Sequence, residues 1–158
     1  MNKRGNITTN AIFVLMLCIC AGCSARQDDL EHPAQIEIYS AENNELIRVI
    51  DDEETLYQYN QCAYDDSDSG QHQEELEQSL EGIKEEYNLI SYKYPVSHFN
   101  GHELEKNITI TTYENSNIIK MTVDEDSVKG ASIPEEFLIF YYEVSDKDME
   151  FYRSLAKE

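Results

Sequence analysis

The chain has few basic residues. Its 158 residues include 12 Lys and Arg against 32 Asp and Glu, which gives a formal net charge of −20. Nucleic acids and anionic lipid surfaces are bound through clusters of positive charge, so we expect neither as a direct partner of the folded part. Glycine is also scarce, at six residues, and no glycine-rich phosphate-binding motif is present. Tryptophan is absent, but hydrophobic residues make up 41% of the chain, which is typical of a globular protein.

Only one long apolar run occurs, near the N-terminus. Eleven uninterrupted apolar residues, 11–21, follow a polar segment that contains Lys3 and Arg4. A helix of that length extends about 17 Å, which is too short for the ~30 Å hydrocarbon core of a bilayer. A basic segment followed by a short apolar run and small residues is typical of a cleaved export signal, which we place at residues 1–22.

The residues around Cys23 resemble the lipobox of bacterial lipoproteins. In that family two small residues precede a cysteine that receives a diacylglycerol, and signal peptidase II cleaves directly before it. Ala21 and Gly22 match the small residues, whereas Cys20 stands where a leucine-like residue is usual. The resemblance implies a lipid anchor on Cys23 at the extracytoplasmic face of the cell membrane, as in small lipoproteins of Gram-positive bacteria. Ordinary secretory cleavage after Ala25 is the alternative.

Cysteine is scarce in the part that would remain after cleavage. Cys18 and Cys20 lie within the signal, Cys23 would carry lipid, and Cys62 would be the free thiol. One thiol cannot form an internal disulfide, so we expect the domain to fold on its hydrophobic core alone. Asp65 follows Cys62, and no Lys, Arg or His is near it in sequence. This favours a small buried apolar side chain over a reactive thiol.

The remainder of the chain predicts a tether and one domain. Residues 23–34 are the lipidated cysteine and a flexible polar tether, and residues 35–158 form a single α+β domain. Apolar alternation and continuous apolar runs predict strands at residues 35–40, 46–50, 89–94, 108–113, 118–123 and 137–144. Helical spacing predicts helices over residues 52–63 and 74–87, and a last helix, with Asp51 capping the first and Ser145 the last.

This order groups the strands into hairpins. It favours an antiparallel sheet of five to six strands that carries two to three helices on one face. The segment 137–144 is nearly continuous in aromatic and aliphatic residues, so we expect it to be a central strand covered on both faces.

One acidic segment begins like a calcium-binding loop. Residues 65–70 place oxygen-bearing side chains at alternate positions and glycine at the sixth. Such a loop needs an acidic residue at its twelfth position, where this chain has Leu76 between Glu75 and Glu77. The register misses by one residue, so the sequence predicts a solvated acidic loop instead.

Two histidines have a spacing that zinc sites can use. His98 and His102 lie four residues apart, which on a helix would bring both rings to one metal ion. Asn100 and Gly101 lie between them and predict a turn rather than a helix. We therefore predict exposed turn histidines, and no metal site or cofactor.

Tyrosine is the unusually frequent aromatic residue, with eleven in the chain. Its large ring and polar tip are favoured at binding surfaces, but half-buried strand positions favour it as well. The sequence favours half-buried positions for the tyrosines that cluster along it, which are Tyr57, Tyr59, Tyr64, Tyr92, Tyr94, Tyr141 and Tyr142.

The sequence contains no motif that marks an enzyme. No serine lies in a nucleophile-elbow pattern, and the acids are too numerous for an acid–base pair to be singled out. The export signal and the small single domain favour a membrane-anchored binding or interaction module, with a protein or another cell-envelope component as partner. The second hypothesis is an inhibitor or immunity-type protein with an acidic face against a basic partner. The third is a small cell-surface hydrolase.

Overall fold

The computed structural model describes residues 33–62, 72–94, 103–128 and 133–157. Within them the strands are β1 (Gln35–Ser40), β2 (Leu46–Ile50), β3 (Glu85–Lys93), β4 (Glu105–Tyr113), β5 (Ile118–Val123) and β6 (Ile139–Glu143). The helices are α1 (Glu53–Gln61), α2 (Gln73–Ser79) and α3 (Asp146–Leu155), with 3₁₀ turns at Glu125–Ser127 and Glu135–Phe137. All strand pairs are antiparallel, in the order β2-β1-β3-β4-β5-β6, and the predicted α+β class is confirmed.

Turn residues set the register of the two predicted hairpins. Asn44 and Asn115 adopt φ values of 55° and 54° in the β1–β2 and β4–β5 turns. Asparagine tolerates this left-handed conformation better than most other residues with a side chain. A bulge between Leu46 and Arg48 shifts the register of the first hairpin by one residue, so Ile36 pairs with Ile50. Because side chains alternate along a strand, this register places both apolar side chains on one face.

The core lies between one face of the sheet and the helices α1 and α3. The helices contribute Leu56, Tyr59, Met149, Tyr152 and Leu155. The rings of Tyr59 and Tyr152 meet edge to face, with centroids 5.8 Å apart. The sheet contributes Ile36, Ile38, Ile50, Leu89, Ile110, Ile119, Met121 and Tyr142.

The predicted N-terminal cap is wrong for α1 and correct for α3. Asp52, not Asp51, caps α1, because its carboxylate accepts a hydrogen bond of 2.9 Å from the Thr55 N–H. Ser145 caps α3 as predicted. Its hydroxyl accepts from the Asp148 N–H at 3.1 Å and donates to the Asp148 carboxylate at 2.7 Å. Helix α1 also ends earlier than predicted, at Gln61.

The helix predicted over residues 74–87 is wrong beyond Ser79. Gly82 adopts a φ of 78°, a left-handed conformation that ends helices, and β3 begins soon afterwards at Glu85. Tyr87 continues the helical spacing only by coincidence, since it lies in β3. Strand β4 likewise begins before its predicted start, at Glu105.

The expectation of a central strand at residues 137–144 is also wrong. Strand β6 is shorter than that segment and lies at an edge of the sheet. Phe137 lies before it in a 3₁₀ turn, with its side chain 65% exposed. The apolar run lies in two environments, because Leu138, Tyr142 and Val144 are buried, whereas Ile139, Phe140 and Tyr141 are partly exposed.

In the part of the chain that the structure describes, the helices are too short or too polar to cross a bilayer.

Candidate binding cleft and the polar sheet face

Helix α2 covers the free edge of β6 through one side-chain amide. The Gln73 amide donates to the Tyr141 C=O at 2.8 Å, and the Tyr141 N–H donates to the Gln73 amide oxygen at 2.7 Å. These are the two hydrogen bonds that a neighbouring strand would make to an edge residue. Helix α2 has no fully buried side chain, so this amide contact is a principal link between it and the sheet.

A cleft of about 330 Å³, here called the α2–β6 cleft, opens beside this contact. Phe137, Ile139 and Phe140 give it an apolar lining, and the side chain of Phe137 is exposed. The Tyr141 hydroxyl donates to the Glu77 carboxylate at 3.1 Å. The full lining consists of Gln73, Glu74, Glu77, Glu136, Phe137, Ile139, Phe140 and Tyr141.

The carboxylates of the cleft lack positively charged partners among the described residues. Glu74, Glu77 and Glu136 form none of the ion pairs found there. Lys120 lies on the strand next to β6, but its ammonium group pairs with Glu85 at 2.8 Å. The cleft thus combines an exposed aromatic ring with negative charge that described side chains do not compensate.

Tyrosine hydroxyls bond to carboxylates on the sheet face opposite the core, here called the tyrosine–carboxylate face. Tyr39 and Tyr92 both donate to the same oxygen of Glu37, each at 2.8 Å. The Tyr113 hydroxyl donates to Glu85 at 3.4 Å. Glu37 alternates in β1 with residues that face the core, which places it on the opposite side of the sheet.

These tyrosines act as neutral hydrogen-bond donors. Burial, with the hydrogen bond to Glu37 as the second cause, raises the pKa of Tyr92 to about 12. Burial and the hydrogen bond to Glu77 raise the pKa of Tyr141 to about 12 in the same way. The pKa of Tyr113 is raised as well, by burial first. A protonated hydroxyl holds its carboxylate partner in place, so these pairs are suited to fixing the surface of the sheet.

Cys62 directly follows α1 and lines a second cleft, of about 370 Å³, against α3. Its thiol is 3.6 Å from the Gln58 carbonyl oxygen. Burial, followed by the nearby Asp148 carboxylate, raises its pKa to about 11. The side chain is half-buried rather than buried as predicted, and it follows α1 instead of lying within it. The raised pKa lowers the thiolate fraction at neutral pH.

The tyrosine predictions hold in part. Tyr92 and Tyr141 are half-buried strand residues as predicted. Tyr59 and Tyr142 instead belong to the core, and Tyr57 and Tyr94 are exposed. Tyr39, Tyr113 and their carboxylate partners did not stand out in the sequence. Glu37 and Tyr39 lie two residues apart in a strand, and this spacing was the available signal, because it places both on one face.

Several predicted site residues lie outside the described ranges. They are Cys23, the acidic segment 65–70, Tyr64, His98 and His102. Within the ranges that are described, no group of three or more His, Cys, Asp or Glu side chains could hold a metal ion.

Comparison of the chain with protein-family models, with curated proteins and with solved structures gave no match.

Proposed function

We propose that the chain is a lipoprotein, anchored through Cys23 at the extracytoplasmic face of the cell membrane, whose domain is a binding module rather than an enzyme. The basic N-terminal segment, the short apolar run and the residues Ala21 and Gly22 before Cys23 support the anchor. The ten mostly polar residues 24–33 would reach about 33 Å when fully extended. That reach would hold the acidic domain away from an anionic membrane surface.

The α2–β6 cleft is the binding site in this proposal. One observation carries the assignment: Phe137, 65% exposed, lines the same cleft as three carboxylates that have no cationic partner among the described residues. An aromatic ring attracts a cation over its face, and carboxylates pair with ammonium and guanidinium groups. Lysine and arginine also carry apolar stems that fit an apolar lining. The ligand is therefore a basic side chain of a cell-envelope partner, or an organic cation of similar chemistry.

The test is the affinity of the chain for an arginine-rich peptide. Phe137→Ser should weaken binding by about twofold to fivefold, because it removes a cation–π contact worth about 0.5 to 1 kcal/mol at an exposed site. Calorimetric titration at low and high salt measures the affinity and its electrostatic part. Tyr94→Ser is the matched control, because Tyr94 is also exposed, at 59%, and lies outside the cleft. Equal affinities for Phe137→Ser and the wild type would exclude the cleft as the site.

An inhibitor or immunity-type role is the second proposal, and the same uncompensated carboxylates favour it. Inhibition would require a single basic protein as partner, held by a broad acidic surface. Affinity capture from the native cell envelope separates the two roles. Recovery of one basic protein would favour inhibition, and recovery of peptidoglycan or a small ligand would favour the binding module. The hydrolase hypothesis has less support, because Glu37 and Glu85 of the tyrosine–carboxylate face are bonded to tyrosine hydroxyls.

The anchor is tested by replacing the lipidated residue. Wild-type chain should partition with membranes and incorporate labelled fatty acid, whereas Cys23→Ser should do neither as a processed protein. Lipid is expected to be the sole anchor, because a net charge of −20 opposes adsorption to anionic lipid. Wild-type protein that appears in the medium with Arg26 as its first residue would refute the lipoprotein assignment.

A further inference from the structure

Strand β2 forms the other edge of the sheet, and within the described ranges β1 is the one strand that pairs with it. Leu46, Ile47 and Val49 expose 47%, 42% and 44% of their surfaces. Whereas Gln73 bonds to the backbone of β6, no described side chain bonds to the backbone of β2. Exposed aliphatic residues on an uncovered edge strand are a known template for pairing with another chain.

The pairing pattern shows which backbone groups of β2 point away from β1. The Ser40 N–H donates to the Glu45 C=O across the first hairpin, so the even-numbered residues of β1 direct their backbone groups toward β2. Ile36 is one of these and pairs with Ile50. The alternation along β2 therefore directs the N–H and C=O of Val49 at the free edge.

We propose that the free edge of β2 binds an extended segment of a partner protein by strand addition. The segment carries aliphatic residues at alternate positions and basic residues at its ends. Leu46 and Val49 pair opposite Tyr39 and Glu37, so both lie on the tyrosine–carboxylate face and can pack against the aliphatic residues of an added strand. The bulge between Leu46 and Arg48 interrupts the regular ladder of hydrogen bonds, which limits regular pairing to a short added segment.

Charge identifies the ends of the segment as basic. Strand β2 itself contains one charged residue, Arg48, whereas the residues at its two ends are acidic. An added strand would run alongside these carboxylates, which attract basic residues at matching positions. They are Glu45, Asp51, Asp52, Glu53 and Glu54.

A second copy of the chain is disfavoured as the occupant. Two β2 strands paired antiparallel about their centres would place Arg48 opposite Arg48 of the other copy. Glu45 of one copy would then lie beside Asp51 of the other. Both contacts join like charges, and the net charge of −20 on each copy adds to the repulsion.

The experiment uses the full-length chain in detergent micelles and a synthetic peptide of alternating valine and threonine with lysine at each end. Peptide addition should shift the Val49 amide resonance and slow its hydrogen exchange. A peptide with the same side chains but N-methylated on its edge-forming amides should bind at least about tenfold more weakly, because it cannot form the backbone hydrogen bonds.

Matched variants and the alternative outcomes complete the test. Val49→Lys should weaken binding of the unmethylated peptide by about tenfold or more, through charge repulsion and lost apolar contact. Tyr94→Lys introduces the same charge at an exposed residue outside β2 and should leave the affinity unchanged. Equal binding of the methylated peptide, resonance shifts confined to β6, or a peptide-free dimer that Val49→Lys dissociates would each overturn the proposal.

Discussion

The Cys62 thiol lies between α1 and α3, where burial and the Asp148 carboxylate raise its pKa from 9.0 to about 11. Thiolate is the reactive form, so near pH 8 its fraction is about 100 times smaller than for an unperturbed thiol. We expect alkylation of Cys62 to be slow at neutral pH and to accelerate as the pH approaches about 11. Rates measured by mass spectrometry at several pH values test this expectation, with Cys62→Ser as the background.

Chemically unfolded protein provides the matched control for this thiol. Unfolding removes both the burial and the proximity of Asp148, so the unfolded chain should react at the rate of a free cysteine peptide. If the folded chain reacts as fast as the unfolded one near pH 8, the thiol is activated or freely exposed, and the prediction fails.

For single residues, sequence patterns predicted which side chains are buried better than they predicted which side chains bond to each other. Ile36 and Ile38 alternate with polar neighbours, and both are fully buried. Glu37 bonds to Tyr92, which is 55 residues away, and only the register between β1 and β3 brings them together. A local sequence pattern gives no information on contacts between residues this far apart, so the tyrosine–carboxylate face could not be predicted from spacing alone.

Among the contacts between secondary-structure elements, the Gln73 side chain satisfies the outward backbone groups of Tyr141 at the β6 edge. Gln73→Leu would remove both hydrogen bonds to Tyr141 and leave its N–H and C=O unpaired. A lost hydrogen bond costs about 1 kcal/mol, so the free energy of unfolding should fall by about 1 to 2 kcal/mol. Urea denaturation measures that change, and hydrogen exchange at the Tyr141 amide locates it.

Gln73→Glu is the partner variant for this prediction. Its carboxylate can still accept from the Tyr141 N–H but cannot donate to the Tyr141 C=O, so an intermediate loss is expected. Unchanged stability and unchanged Tyr141 exchange in Gln73→Leu would mean that α2 does not protect this edge.

The sequence predicted elements that form locally and misplaced those that depend on distant partners. Both hairpins follow from a turn and two adjacent strands, and the predicted bounds of β1, β2 and β5 agree with the structure. The predicted centre of the sheet at residues 137–144 is its edge, because strand order depends on which strands meet across the whole chain. The overlong helix at residues 74–87 arose because Gly82 lowers helix propensity without showing, by itself, where a helix stops.

For the whole molecule, the raised tyrosine pKa values predict the response to alkali. Tyr92 and Tyr141 have folded-state pKa values of about 12, against 10.0 for an unperturbed tyrosine. The folded state therefore favours the neutral hydroxyl. Its contribution to stability is complete below pH 10 and is lost as the pH rises from there through about 12. Urea denaturation across this range should show a falling free energy of unfolding.

The double variant Tyr92→Phe, Tyr141→Phe isolates this contribution from the titration of lysines. It should lose less stability between pH 10 and about 12 than the wild type, although it starts lower at neutral pH because two hydrogen bonds are missing. Parallel pH profiles for the two proteins would show that the tyrosines do not titrate differently in the folded and unfolded states.

The packing of α3 against the sheet has a consequence for how the chain is made. Its residues Met149, Tyr152 and Leu155 complete a core whose first members, Ile36 and Ile38, are synthesised far earlier. The core-facing side of the early strands therefore lacks these side chains until α3 has left the ribosome. The nascent chain cannot complete its native core before then. A translocation channel accepts extended polypeptide, so this late closure would keep the chain competent for passage across a membrane, as the proposed lipid anchor requires.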